Sequence, residues 1–107
     1  MSDGLGNFEK LLLLALARLP DAYGVTVRQE IEEKTGKQVS AGAVYTALER
    51  LEARGLVSSR LGDPTPVRGG RRKRHYQLLP AGEKALATNF EELRLMSAGL
   101  PRRLRLS

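Results

Sequence analysis

The spacing of apolar and polar positions changes period twice along this chain. From about Leu5 to Leu19 the apolar residues Leu5, Phe8, Leu12, Ala15, Leu16 and Leu19 return at helical intervals, and Pro20-Asp21 closes the run. Extra leucines at Leu11, Leu13 and Leu14 widen the apolar surface beyond one face. That fits either a deeply buried core helix or one whose surplus face packs on a second subunit. A second helix is predicted from Val27. Thr26 stands three residues before Gln29 at capping-box spacing, Val27 and Ile31 face inward, and Gly36 supplies the stop. Ser40 is a good N-cap for a third helix, Ala41 to Arg54, which carries an apolar stripe of Val44, Ala47, Leu48 and Leu51 and ends at Gly55.

The period then shortens to two. Residues 56–61 and 74–79 alternate as strands, and the Gly- and Pro-rich stretch 62–71 between them is too long for a tight turn, so a hairpin with an extended loop is expected. Helical spacing returns at Pro80-Ala81-Gly82 and continues to about Ala98, with Leu86, Phe90, Leu93 and Met96 on one side, until Gly99-Leu100-Pro101 ends it. Two helices joined by a short Gly-containing turn, followed by a hairpin, define the fold class: mainly α with a small β-hairpin, a winged helix-turn-helix with an added C-terminal helix. The expected division is a winged unit over 1–79, a dimerisation helix over 80–100 in the same compact body, and a flexible basic tail over 101–107.

Composition narrows the function classes. A chain of 107 residues is one domain, and with 41% apolar but only 5% aromatic residues its core must be built from Leu, Val and Ala. A domain this small gains from burying more surface by self-association. There is no cysteine, which excludes disulfides and thiolate metal sites. His75 is the single histidine and is placed on a strand surface, so neither a metal nor any other cofactor is expected. No nucleophile, base and orienting group stand at a telling spacing, which argues against an enzyme. The apolar run Leu11–Ala17 is far shorter than the roughly 20 residues that cross a membrane, and the acidic start is unlike a secretory signal, so a cytoplasmic protein is expected.

The net charge of +6 is unevenly placed. Residues 1–67 hold eight Lys/Arg against nine Asp/Glu, whereas residues 68–107 hold ten against three. Much of the excess lies in the hairpin loop, at Arg68, Arg71, Arg72, Lys73 and Arg74 with Gly69 and Gly70 between them, a flexible cationic segment suited to phosphates or a narrow minor groove. The third helix turns a different set outward. Ser40 and the first-turn amides beside Ala41 suit a phosphate, Tyr45 offers a hydroxyl, Gly42 allows close approach, and Thr46 and Arg50 reach base edges. Each also has a plainer reading: Tyr45 as a half-buried tyrosine, Gly42 as a helix-packing residue, Arg50 as one charge in a mixed surface, and the basic run as a solvated loop. Taken together they point to double-stranded DNA, with an adaptor that binds an acidic protein through the basic loop as the alternative.

Residues 39–57, which include Ser40, Gly42, Tyr45, the run Leu48-Glu49-Arg50-Leu51-Glu52 and Gly55-Leu56, resemble the PadR family of bacterial transcriptional regulators. Tyr23-Gly24 is similar to the family's Tyr-Gly pair before the second helix, and Gly69 to Leu78 with Pro80-Ala81-Gly82 is similar to its wing, last strand and helix start. The resemblance runs over roughly residues 8 to 90. It implies a repressor acting as a homodimer on a near-palindromic operator, with helix 3 and the wing on DNA. The dimer contact falls to the first and last helices, through Leu5, Phe8, Leu11, Leu12, Leu86, Phe90 and Leu93. Only about 27 residues follow Pro80, as in the short subgroup, and a small-molecule effector would bind where the first and last helices meet.

Overall fold

In a computed structural model, which describes residues 4–62 and 72–106, the apolar stripes of the helices converge on one core. Helix α1 (Asn7–Arg18) contributes Leu12, Leu13, Ala15 and Leu16, α2 (Gly24–Thr35) contributes Val27 and Ile31, and α3 (Ala41–Ala53) contributes Val44, Ala47, Leu48 and Leu51. Leu12, Leu13, Leu48 and Leu51 have no exposed surface; removing one such side chain from water is worth about 1.5–3 kcal/mol. The wide apolar surface of the first helix therefore belongs to the core: Leu13 is enclosed, and Leu11 and Leu14 pack against the cluster half-buried.

The helix ends follow local chemistry. The Ser40 Oγ accepts from the Ala43 N–H at 3.1 Å, so α3 starts where its cap predicts. Gly36 and Gly55, with φ of 74° and 77°, end α2 and α3 in the left-handed conformation that glycine adopts at no steric cost. Helix α2 begins three residues earlier than predicted. Tyr23 is held extended by pairing with a later strand, so the chain passes directly from strand to helix at Gly24. Thr26 serves this start from inside the first turn, its hydroxyl accepting from the Tyr23 N–H and donating to the Tyr23 carbonyl, both at 3.0 Å.

Strands β2 (Val57–Leu61) and β3 (Arg74–Leu78) form the expected antiparallel hairpin, with Val57 opposite Leu78 and Leu61 opposite Arg74. A two-residue strand, β1 (Ala22–Tyr23), adds to the other side of β3 and makes the sheet three-stranded in the order β1-β3-β2. Tyr76 points from β3 into the core, where burial and then the Glu52 carboxylate push its hydroxyl above the usual tyrosine range and keep it neutral.

Pro80 opens α4 (Pro80–Ser97) at its first turn. Gly82 and Leu86 are the buried residues of this helix. Past Asn89 it leaves the core, and Phe90, Leu93, Leu95 and Met96 are exposed. In the segment expected as a flexible tail, Arg102–Leu104 form a turn of 3-10 helix. Pro101 presets its entry, the Leu104 N–H donates to the Pro101 carbonyl at 2.8 Å, and Ser97 Oγ accepts from the Leu106 N–H at 3.3 Å. Among the described residues, no helix is long and apolar enough to cross a membrane and no group of His, Asp and Glu is placed to hold a metal ion.

Candidate nucleic-acid interface

Because one stripe of α3 is buried, its remaining residues form a continuous outward face. Ala41, Gly42, Ala43, Tyr45, Thr46, Glu49 and Arg50 are all exposed. Among the described residues, a β-carbon at Gly42 would meet nothing within 4 Å, so helix packing does not account for this glycine. Arg50 makes no ion pair among the described residues, whereas Arg18, Arg28, Arg54 and Arg60 each lie within salt-bridge distance of a carboxylate. Tyr45 is 42% exposed, with the far edge of its ring resting on the start of α2. A β-carbon at Gly24 would come within 2.4 Å of both its Cζ and Oη, so Gly24 makes room for the tyrosine.

Of the basic loop, Arg72, Lys73 and Arg74 are described and exposed; Arg68, Gly69, Gly70 and Arg71 lie outside the described residues. Lys73 turns back on Tyr23, its Nζ 3.2 Å from the tyrosine Oη and 4.4 Å from the ring centre. Arg74 donates to Ser59 Oγ at 3.1 Å, and Ser59 in turn donates to the Glu52 carboxylate at the end of α3. The base of the hairpin and the end of α3 are thus joined through side chains.

His75 departs from the surface position expected of it. Its side chain is 16% exposed because β1 lies alongside β3, opposing Tyr23 to His75, and Tyr23 meets the imidazole edge-on at 5.6 Å. The His75 Nδ1, shielded from solvent, lies 2.9 Å from Asp21 Oδ1 but outside hydrogen-bond geometry. The same carboxylate oxygen lies 3.4 Å from Arg60 on the opposite strand. Asp21, Tyr23, Gly24 and Arg60 are the residues packed beside the candidate face that periodicity passed over. The one signal for them was the Tyr23-Gly24 pair, since a two-residue strand carries no alternation.

The residues proposed for dimer contact divide. Leu5, Leu12 and Leu86 are buried in the subunit's own core and leave little surface for a partner. Phe8 and Leu11 are half-buried against that core, and Phe90 and Leu93 are exposed, continuing into Met96 and Leu100.

The family model described as "Transcriptional regulator PadR-like family" matches residues 12–88, from the second turn of α1 to the middle of α4. The chain belongs to the PadR-like family of transcriptional regulators. Among curated relatives, "Transcriptional regulator Rv3488" of Mycobacterium tuberculosis is 38% identical over 84 residues, 78% of this chain and 74% of that protein. An uncharacterised 37.1 kDa protein in a transposon of Streptomyces fradiae is 33% identical over 89 residues, 83% of this chain but 24% of its own length, so the chain spans about a quarter of that relative. The crystal structure of a PadR family transcription regulator from Clostridium difficile R20291 superposes with a TM-score of 0.72 at 26% identity, covering 85% of this chain and 91% of that one. The four helices and small antiparallel sheet are thus the winged-helix fold of PadR-like regulators.

Proposed function

We propose that this PadR-like regulator is a cytoplasmic, homodimeric repressor that binds a near-palindromic site on double-stranded DNA, α3 entering the major groove and the wing lying on the flanking backbone. One observation carries the reading: Tyr45 of α3 and Lys73 at the wing base rest on the successive residues Gly24 and Tyr23, which brings the groove-sized face of α3 and the basic hairpin to one side of the molecule. The absence of any neighbour around Gly42 supports close approach of that face to DNA. A small effector is expected where α1 and α4 meet; the open groove of about 870 Å³ lined by Lys84, Ala85, Thr88 and Asn89 lies beside that place, on the α3 side of α4, and among the described residues holds none of α1.

Gly42→Ala separates stability from binding. A methyl group at this open helical position raises stability by up to about 1 kcal/mol, because glycine loses the most backbone freedom on folding. The same methyl stands on the face assigned to DNA, and affinity for a selected duplex should fall roughly tenfold, about the cost of one lost polar contact at an interface. Thermal melts and fluorescence anisotropy read the two effects; a stabilised protein with unchanged affinity removes close approach at Gly42 from the account. The functional reading itself is tested by competition. A specific complex persists under excess random duplex, whereas an adaptor for an acidic partner gives only weak, salt-sensitive binding to any duplex.

A further inference from the structure

The segment between α1 and α2 does more than connect them. Asp21 Oδ1 lies 3.4 Å from Arg60 on β2 and 2.9 Å from His75 on β3, so one carboxylate touches both limbs of the hairpin. Tyr23 holds Lys73 twice over, by accepting a hydrogen bond from its ammonium at 3.2 Å and by offering its ring face at 4.4 Å, while its edge meets His75. Gly24, next in sequence, is the floor under Tyr45. Below Lys73 the hairpin is closed by the Gly62 N–H donating to the Lys73 carbonyl at 2.7 Å, and a β-carbon at Gly62 would come within 2.8 Å of the His75 ring. The base of the wing is thus gripped from β1, and the grip is continuous with the support of the recognition helix.

The geometry points to Asp21–Gly24 as a clamp that sets the wing at a fixed position relative to α3, with Tyr23 as its positioning residue acting through Lys73. The inference rests on the DNA-binding reading. A wing attached only through its own strands would have to be ordered each time the protein binds, and that ordering weakens association. A clamped wing meets the flanking phosphates at a set distance from the groove read by α3. Tyr23 itself need not touch DNA.

The test is a double-mutant cycle on a duplex recovered by selection, at physiological salt, with Tyr23→Phe, Lys73→Met and the pair. Tyr23→Phe keeps the ring and loses the acceptor, so its melting temperature should match the parent's while its affinity falls roughly three- to tenfold, the range of one hydrogen bond. In the Lys73→Met background the tyrosine change should cost nothing further. Hydroxyl-radical footprints should show protection lost at the flanks and kept at the centre. Wild-type affinity in Tyr23→Phe, or losses that multiply in the pair, would overturn the clamp and leave the DNA reading standing; failure of the parent to select any duplex would remove both.

Discussion

Gly82→Ala is expected to be among the most damaging single-methyl additions to this chain. An added β-carbon would lie 2.4 Å from the Leu56 carbonyl oxygen and 2.6 Å from Leu78 Cδ1. The oxygen is backbone and is already committed, since it accepts the Leu79 N–H at 3.0 Å. Leu78 can turn its side chain aside, but the Leu56 carbonyl oxygen can yield only if the backbone moves. The first turn of α4 must therefore move off the junction between α3 and β2, at a cost of about 2–3 kcal/mol. For a domain of this size each kcal/mol is worth roughly 4–8 °C, so the melting temperature should fall by about 10–20 °C. Gly42→Ala, with open space around it, is the control that should move the other way. Equal melting temperatures for the two variants would mean that α4 does not seat on Leu56 as described.

Leu93→Glu should convert a dimer to monomers and abolish tight operator binding without unfolding the subunit. The subunit is longer than one core requires: its radius of gyration is 15.7 Å and its extents are 57 × 29 × 22 Å, where a compact chain of this length has a radius of about 13 Å. Past Asn89 the distal half of α4 carries Phe90, Leu93 and Met96 into solvent, and Leu100 follows just beyond its end. Met96 is 80% exposed and Leu93 43%. An apolar stripe of this kind is the surface that a second copy would cover, and a charge placed in it would be buried without a partner. Linking two half-sites multiplies affinity by roughly 10²–10⁴, and that factor is lost in a monomer. Leu95→Glu, across the helix from Leu93, should leave the dimer intact. Sedimentation or light scattering decides the matter; a Leu93→Glu dimer of unchanged stability would exclude the α4 interface.

What was legible in the sequence is what periodicity encodes. The stripe Val44, Ala47, Leu48 and Leu51 is buried residue for residue, and Ser40 caps the helix as its position predicts. Spacing alone did not separate core from interface. Leu12 and Leu13 are adjacent and both fully enclosed, because α1 is covered from more than one side, and the exposed apolar residues of α4 lie further along, beyond Asn89. The start of α2 was misplaced because two consistent capping patterns overlap at Thr26. The strand pairing of Tyr23 decides between them, and that is a contact with residues more than 50 positions away. The clamp around His75 was hidden for the same reason: Asp21, Tyr23, Arg60 and Lys73 come together only when the sheet closes.

The measurement that tests the central claim most directly is selection of bound duplexes from a random pool at physiological salt, followed by sequencing. A homodimer with α3 in successive major grooves predicts an inverted repeat whose half-sites are centred about 34–36 Å apart, one helical turn. A pool with no enriched sequence would contradict it.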